Sequence, residues 1–327
     1  MKMSKRVLAC LAASAMVFGV AAPALADDYK MTVIMSSRDE FLSTLEKGAT
    51  DAAAEIGGIE ISTQDANNDP AKVLQFIEAA ANAGEDAVII NLVDAETGAE
   101  CVEAAGDMKV VFVNRCPSDT SILNENVVYV GSNEMTSGGF QGDFLADYFN
   151  EKGQTDVKYI LLQGTLGLVH TTQRTESVLQ HMKDGGLNIE EAAAPLVADY
   201  DRATAQEMIA PLLTTTEYDC IIANNDAMAL GAVEAMLDAD LDPASIPIVG
   251  IDATADGIQA IKDGTLAMTV FQDPVGQGMG ALMAAVNMLE GKEFTEGTSF
   301  SADEENPYIV WVPFEPVYPD NVADYEK

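Results

Sequence analysis

The side chains with chemistry to offer are amides, carboxylates and guanidiniums, and they recur at one kind of place. They fall in residues 36–41, at Asn91, at Asn114-Arg115, in residues 163–174, at Tyr200-Asp201-Arg202, at Asn225-Asp226, at Asp252 and at Gln272. Each follows a short apolar run that reads as a strand. An amide or carboxylate beside an arginine satisfies both the donor and the acceptor of a hydroxyl. The aromatic faces of Phe41 and Tyr200 suit the C–H side of a sugar ring. Taken singly, Asp or Asn after a strand is also an ordinary helix cap. Repetition across eight strand ends points instead to a cleft for a neutral, polyhydroxylated ligand.

Other chemistries lack their residues. His170 and His181 are the only histidines, too few for a histidine metal cluster, and neither a Walker loop nor a Gly-x-Ser-x-Gly elbow occurs. Gly276-Gln277-Gly278-Met279-Gly280-Ala281 imitates a dinucleotide fingerprint. No strand ending in Asp or Glu follows at the required distance, so a close-packed helix start is expected. Asp65-Ala66-Asn67-Asn68-Asp69 begins like a calcium loop, but Pro70 stands where glycine is needed and Phe76 where the bidentate glutamate belongs. A helix-capping turn is expected there, and no cofactor or metal.

The elements that must position the polar set alternate along the chain. Apolar, β-branched runs predict strands over 31–36, 59–64, 87–91, 110–114, 127–130, 159–163, 220–223, 248–251 and 267–271. Helical periodicity predicts helices over 41–56, 70–83, 136–152, 175–183, 203–213, 227–238 and 276–289. Such alternation gives an α/β fold with parallel sheets, and continuously apolar strands such as 110–113 imply that both sheet faces are covered. The units are too many for one open sheet and break near 121–133, so two doubly wound, Rossmann-like lobes are expected. In open parallel sheets ligands bind beyond the carboxyl ends of the strands.

Composition narrows the partners. With 17 Lys+Arg against 53 Asp+Glu the formal net charge is −36, which excludes nucleic acid and disfavours an anionic membrane surface. Residues 1–26 read as a signal peptide: Lys2, Lys5 and Arg6 precede an apolar run, and Ala24-Leu25-Ala26 offers a cleavage site. Export to the periplasm or cell surface is expected. Cys101, Cys116 and Cys220 then remain as thiols, with a Cys101–Cys116 bridge as the alternative. The remaining arginines, Arg38, Arg115, Arg174 and Arg202, all follow expected strand ends.

Particular stretches resemble the periplasmic sugar-binding proteins of ABC transporters, the group that holds the galactose/glucose-, ribose- and inositol-binding members. They are Ile90-Asn91-Leu92-Val93-Asp94, Val111-Phe112-Val113-Asn114-Arg115, Ala223-Asn224-Asn225-Asp226-Ala227-Met228-Ala229 and Val249-Gly250-Ile251-Asp252-Ala253. The resemblance runs from Tyr29 to Tyr325. It implies a type I binding protein with a three-crossover hinge, its N-terminal lobe formed by 27–132 plus 272–308 and its C-terminal lobe by 133–271 plus 309–327. It implies that Asn114, Asn225 and Asp252 hydrogen-bond sugar hydroxyls, that Arg115 and Arg174 join them, and that Phe41 and Tyr200 sandwich the ring. Asp39 falls near an acidic contact of galactose-type members, and Asn91 and Gln272 match ribose-type positions. His170 stands where galactose-type members carry an aspartate, with a surface helix-cap role as the alternative. The calcium loop of those members is missing, since Asn150-Glu151-Lys152-Gly153-Gln154 is too short.

The resemblance further implies a monomer that delivers a monosaccharide or cyclitol, galactose/glucose or inositol, to an ABC permease without covalent chemistry. Docking on a chemotaxis receptor stays open. An exported sugar-acting enzyme would instead need a carboxylate pair such as Asp39 and Asp252, and turnover of labelled sugars separates the two. A transcription regulator of this fold would begin with a helix-turn-helix, where this chain has its signal-peptide pattern.

Overall fold

A computed structural model describes residues 29–326; the signal-peptide pattern of residues 1–26 lies outside the described residues. The first run of elements is β1 (Tyr29–Met35), α1 (Glu40–Ile56), β2 (Ile59–Asp65), α2 (Pro70–Ala83), β3 (Ala87–Ile90), α3 (Gly98–Ala105), β4 (Lys109–Val113) and β5 (Val127–Gly131). The second is α4 (Glu134–Glu151), β6 (Asp156–Gln163), α5 (Val169–Asp184), β7 (Asn188–Glu191), β8 (Leu196–Val197), α6 (Arg202–Ile209), β9 (Cys220–Ala223), α7 (Asp226–Asp238), β10 (Ile248–Val249) and α8 (Ala255–Asp263). The chain closes with β11 (Thr269–Gln272), α9 (Pro274–Glu290), β12 (Ser301–Ala302), β13 (Ile309–Trp311) and β14 (Phe314–Val317).

The first sheet has the order β12-β13-β5-β4-β3-β1-β2 and is parallel except at β12. The second runs β10-β9-β6-β7, with β8 also on β6, and all its pairs are parallel. Each sheet reverses its winding once, at β1/β3 and at β6/β9, so each has a switch point whose carboxyl side is open to a ligand. Two apolar layers cover each sheet. In the first lobe Leu45, Ala49 and Leu282 pack on one face and Ile77, Cys101 and Phe112 on the other. In the second lobe Met228 and Ile258 face Leu145 and Met182 across the sheet. Cys101, Cys116 and Cys220 are free thiols.

The glycines that imitate a dinucleotide fingerprint serve helix contact. A Cβ on Gly278 would lie 2.1 Å from the Leu45 carbonyl oxygen, so a side chain there would drive α9 away from α1. The chain passes between the lobes at 131–134, 272–274 and 311–314. The last crossing departs from the expected 308/309: Ile309–Trp311 pairs in register with Tyr129–Gly131 and belongs to the first sheet. Its apolar residues are buried there, and the Trp311 ring meets the Tyr129 ring edge-on at 6.0 Å. Only then does β14 cross to pair antiparallel with β11.

Candidate functional site

A cavity of about 170 Å³ lies between the lobes, flanked by hollows of about 370 and 310 Å³ that share with it Phe41 and Asp252, and Asn114 and His170, respectively. For scale, an engineered cavity of about 150 Å³ holds one benzene ring, so this space fits a single six-membered ring. From the first lobe Asp39, Phe41, Asn114 and Arg115 line it. From the second lobe and the hinge come His170, Arg174, Tyr200, Asn225, Asp252 and Gln272. Ten of the eleven expected residues therefore meet around one space. A larger hollow of about 700 Å³ opens at the amino ends of β6, β7 and β9, among Asp156, Lys158, Glu217 and Asp219, away from this side of the sheets.

Asn91 is the exception. It is fully buried and its amide is consumed by protein: Oδ1 accepts from Ser36 Oγ at 2.6 Å, and Nδ2 donates to the Val113 carbonyl and to Asn114 Oδ1. Its place at a strand end made it a candidate, but its side chain turns along the sheet and props Asn114 rather than lining the cavity. Asn114 sits at φ 64°, its carbonyl accepts from Tyr129 Oη at 2.8 Å, and its Nδ2 donates to Gln277 Oε1. Beside it, Arg115 Nη1 donates to the Leu92 carbonyl; burial lowers its guanidinium, opposed by Tyr200 and Asp39.

The second lobe is wired more tightly. Arg174 is 3% exposed, and its Nε and Nη2 grip Glu134 at 2.7 and 3.2 Å. Nη1 donates to the Asn224 carbonyl and stands 3.8 Å from Asp252 Oδ1, and Nη2 reaches Gln272 Oε1 at 3.2 Å. Burial alone would lower this guanidinium, yet Glu134 and Asp252 hold it above its ordinary value. Burial likewise pushes the Asp252 carboxyl well up, against the pull of Arg174. His170 is buried in the first turn of α5, which excludes the surface-cap role. Burial, with Arg174 and Arg115 nearby, drops it well below its ordinary value, so the imidazole is neutral and both donates and accepts. Its ring stacks on Tyr200 at 5.3 Å. Tyr200 itself bonds Thr171 at 2.6 Å and fills the space over Gly164, where a Cβ would lie 1.9 Å from its ring.

Two amide nitrogens of lining residues have no hydrogen-bond partner among the described residues. Asn225 spends Oδ1 on capping α7 at Met228, which leaves Nδ2. Gln272 Nε2 is buried with no hydrogen-bond partner among the described residues. An orphaned buried donor costs about 1–3 kcal/mol. Glu134 and Gln277 support the site without having been singled out for it, and Asp226, named beside Asn225 at a strand end, supports it from outside the cavity. Glu134 carries no distinguishing mark in a chain with 53 acids, and only its contact with Arg174 reveals it. No cluster of metal-ligating side chains occurs, and no helix is long and apolar enough to cross a membrane, among the described residues.

The comparisons with known proteins agree with this geometry. A family model for the periplasmic binding protein domain matches residues 31–293. A protein of Rhizobium meliloti named for rhizopine binding is 32% identical, over 88% of this chain and 89% of its own. The D-galactose/methyl-galactoside binding periplasmic protein of Haemophilus influenzae is 30% identical over 99% of this chain and 100% of its own. Among solved structures, an ABC transporter solute binding protein of Bacillus halodurans with bound myo-inositol aligns with a TM-score of 0.79 at 28% identity, covering 92% of this chain and 98% of that one. Two lobes, parallel sheets and a polar interlobe cavity are what this family is built from, and the chain belongs to it as a type I periplasmic sugar-binding protein.

Proposed function

We propose that the protein captures a neutral six-membered ring polyol, an inositol or a hexose such as galactose, and delivers it to an ABC permease from the periplasm or cell surface. The observation that carries this is a ring-sized cavity lined from both lobes by ten polar and aromatic side chains. Around it Asp252 offers an acceptor, Arg115 and Arg174 offer donors, and neutral His170 offers either. Phe41 and Tyr200 supply apolar faces for the ring's C–H groups. Because the ligand touches both lobes only when they meet, it stabilises the closed arrangement by population shift, with no covalent step. The relatives named for galactose and solved with myo-inositol support the class.

Calorimetric titration with myo-inositol, galactose, glucose, ribose and xylose tests it. An inositol or a hexose should bind one per chain and raise the unfolding temperature, and Gln272→Leu should weaken it roughly tenfold, about one lost hydrogen bond. Binding of none of the five, or turnover of any, would sink the reading.

A further inference from the structure

The turn that presents Asp252 is wound against its preference. Asp252 has φ 122° and Ala253 φ 50°, a region that residues with a Cβ rarely adopt. Such a turn persists only where its surroundings over-determine it. Asp226 restrains the residues on either side of Asp252. It is fully buried at the first position of α7 and does not line the ligand cavity.

Its backbone N–H donates to the Ile251 carbonyl at 2.7 Å, on one side of the turn. On the other side its Oδ2 accepts from the Thr254 N–H at 2.9 Å. Its Oδ1 accepts from Thr269 Oγ1 at 2.6 Å, and that hydroxyl in turn accepts from the Ala253 N–H at 3.2 Å. One residue thus holds 251, 253 and 254, directly or through Thr269. The Asp252 backbone pairs with β11, its N–H donating to the Val270 carbonyl at 2.8 Å and its carbonyl accepting from the Gln272 N–H at 3.4 Å, and its side chain faces Arg174 and the cavity. The surrounding backbone is cut to fit: a Cβ on Gly250 or Gly257 would lie 2.2 or 2.1 Å from a carboxyl oxygen of Asp226.

We propose that Asp226 is a positioning residue for ligand recognition, which, with Thr269, locks the strained Asp252–Ala253 turn so that the Asp252 carboxyl meets the ligand without rearranging. This rests on the reading of Asp252 as a ligand acceptor, and two arms of the test keep the two ideas apart. In the first arm, Asp226→Ala should weaken myo-inositol or galactose, whichever the wild type binds, on the order of tenfold to a hundredfold, the scale at which small misplacements act. In an Asp252→Asn background the same change should cost less than about twofold, because its route to the ligand is already cut. Equal losses in both backgrounds overturn the proposal. The second arm needs no ligand. In a ligand-free crystal structure of Asp226→Ala, residue 252 should leave positive φ and its carboxyl should move away from Arg174; an unchanged turn overturns the proposal whether or not a sugar binds. Thr269→Val, which keeps the carboxyl and removes the bridge to Ala253, serves both arms if Asp226→Ala fails to fold.

Discussion

The two sides of the cavity are made differently. None of the four first-lobe residues is fully buried, and Asp39 is exposed; five of the six from the second lobe and hinge are buried, and Tyr200, the sixth, is wedged over Gly164. The second side is also a single connected network, running from Glu134 through Arg174 to Asn224, Asp252 and Gln272. On the first side Asn114 is propped by Asn91 and Gln277, while Arg115 reaches a backbone carbonyl. The contrast teaches a division of labour: one lobe holds a pre-organised set of donors and acceptors, and the other brings a more solvated cover.

The sharpest way to break that picture is at Asp252. Asp252→Ala should reduce ligand affinity about a hundredfold or more, since hydrogen bonds to charged groups contribute about 1.5–3 kcal/mol and Arg174 is left short of a partner. Calorimetry with a retained unfolding transition checks it, and unchanged affinity would remove the second lobe's claim to dominance. Next comes the root of the network. Glu134→Ala strands a buried guanidinium, which costs about 3–5 kcal/mol in stability, measured by urea unfolding; an Arg38 partner such as Glu46, on the exposed first-lobe surface, should give under about 1 kcal/mol in the same assay.

A pH series sharpens the comparison further. Burial raises Asp226 from an ordinary 3.8 to about 7, with Thr254 and Thr269 donating to it and Glu40 adding repulsion. The folded state therefore holds that proton more tightly than the unfolded state does. The resulting stability is full below about pH 4 and is lost as pH rises through about 7. Asp226→Asn should flatten that loss, which urea midpoints at pH 5 and pH 8 would show. The smallest effect belongs to the first lobe: Asp39→Ala should shift affinity by no more than about threefold, while losing the cap at Leu42 costs about 0.5–2 kcal/mol.

Much of the fold was legible because β-branched runs and helical periods rarely mislead in long elements. Helix α2 runs over the expected 70–83, where Asp69 caps and Gly84 stops it. Helix α5 begins at Val169 rather than 175, because Leu168 offers no capping side chain to mark the start. Helix α8 went unread although Thr254 caps it and Gly264 ends it. In the site, strand-end position found the ten lining residues. It could not tell Asn91, turned along the sheet, from Asn114 beside the cavity. Nor could it find Glu134, or tell that Asp226, named beside Asn225, acts away from the cavity, since both roles lie in contacts made across sequence distance.

The late crossing of the chain bears on how the molecule is made. Strand β13 pairs Ile309 with Tyr129, more than half the chain's length apart. The neighbour of β5 is therefore synthesised only after the whole second sheet, and until then that strand presents an open, apolar edge. Contacts so distant in sequence also slow folding. The first sheet therefore cannot be completed until the chain has passed through the whole of the second sheet and returned.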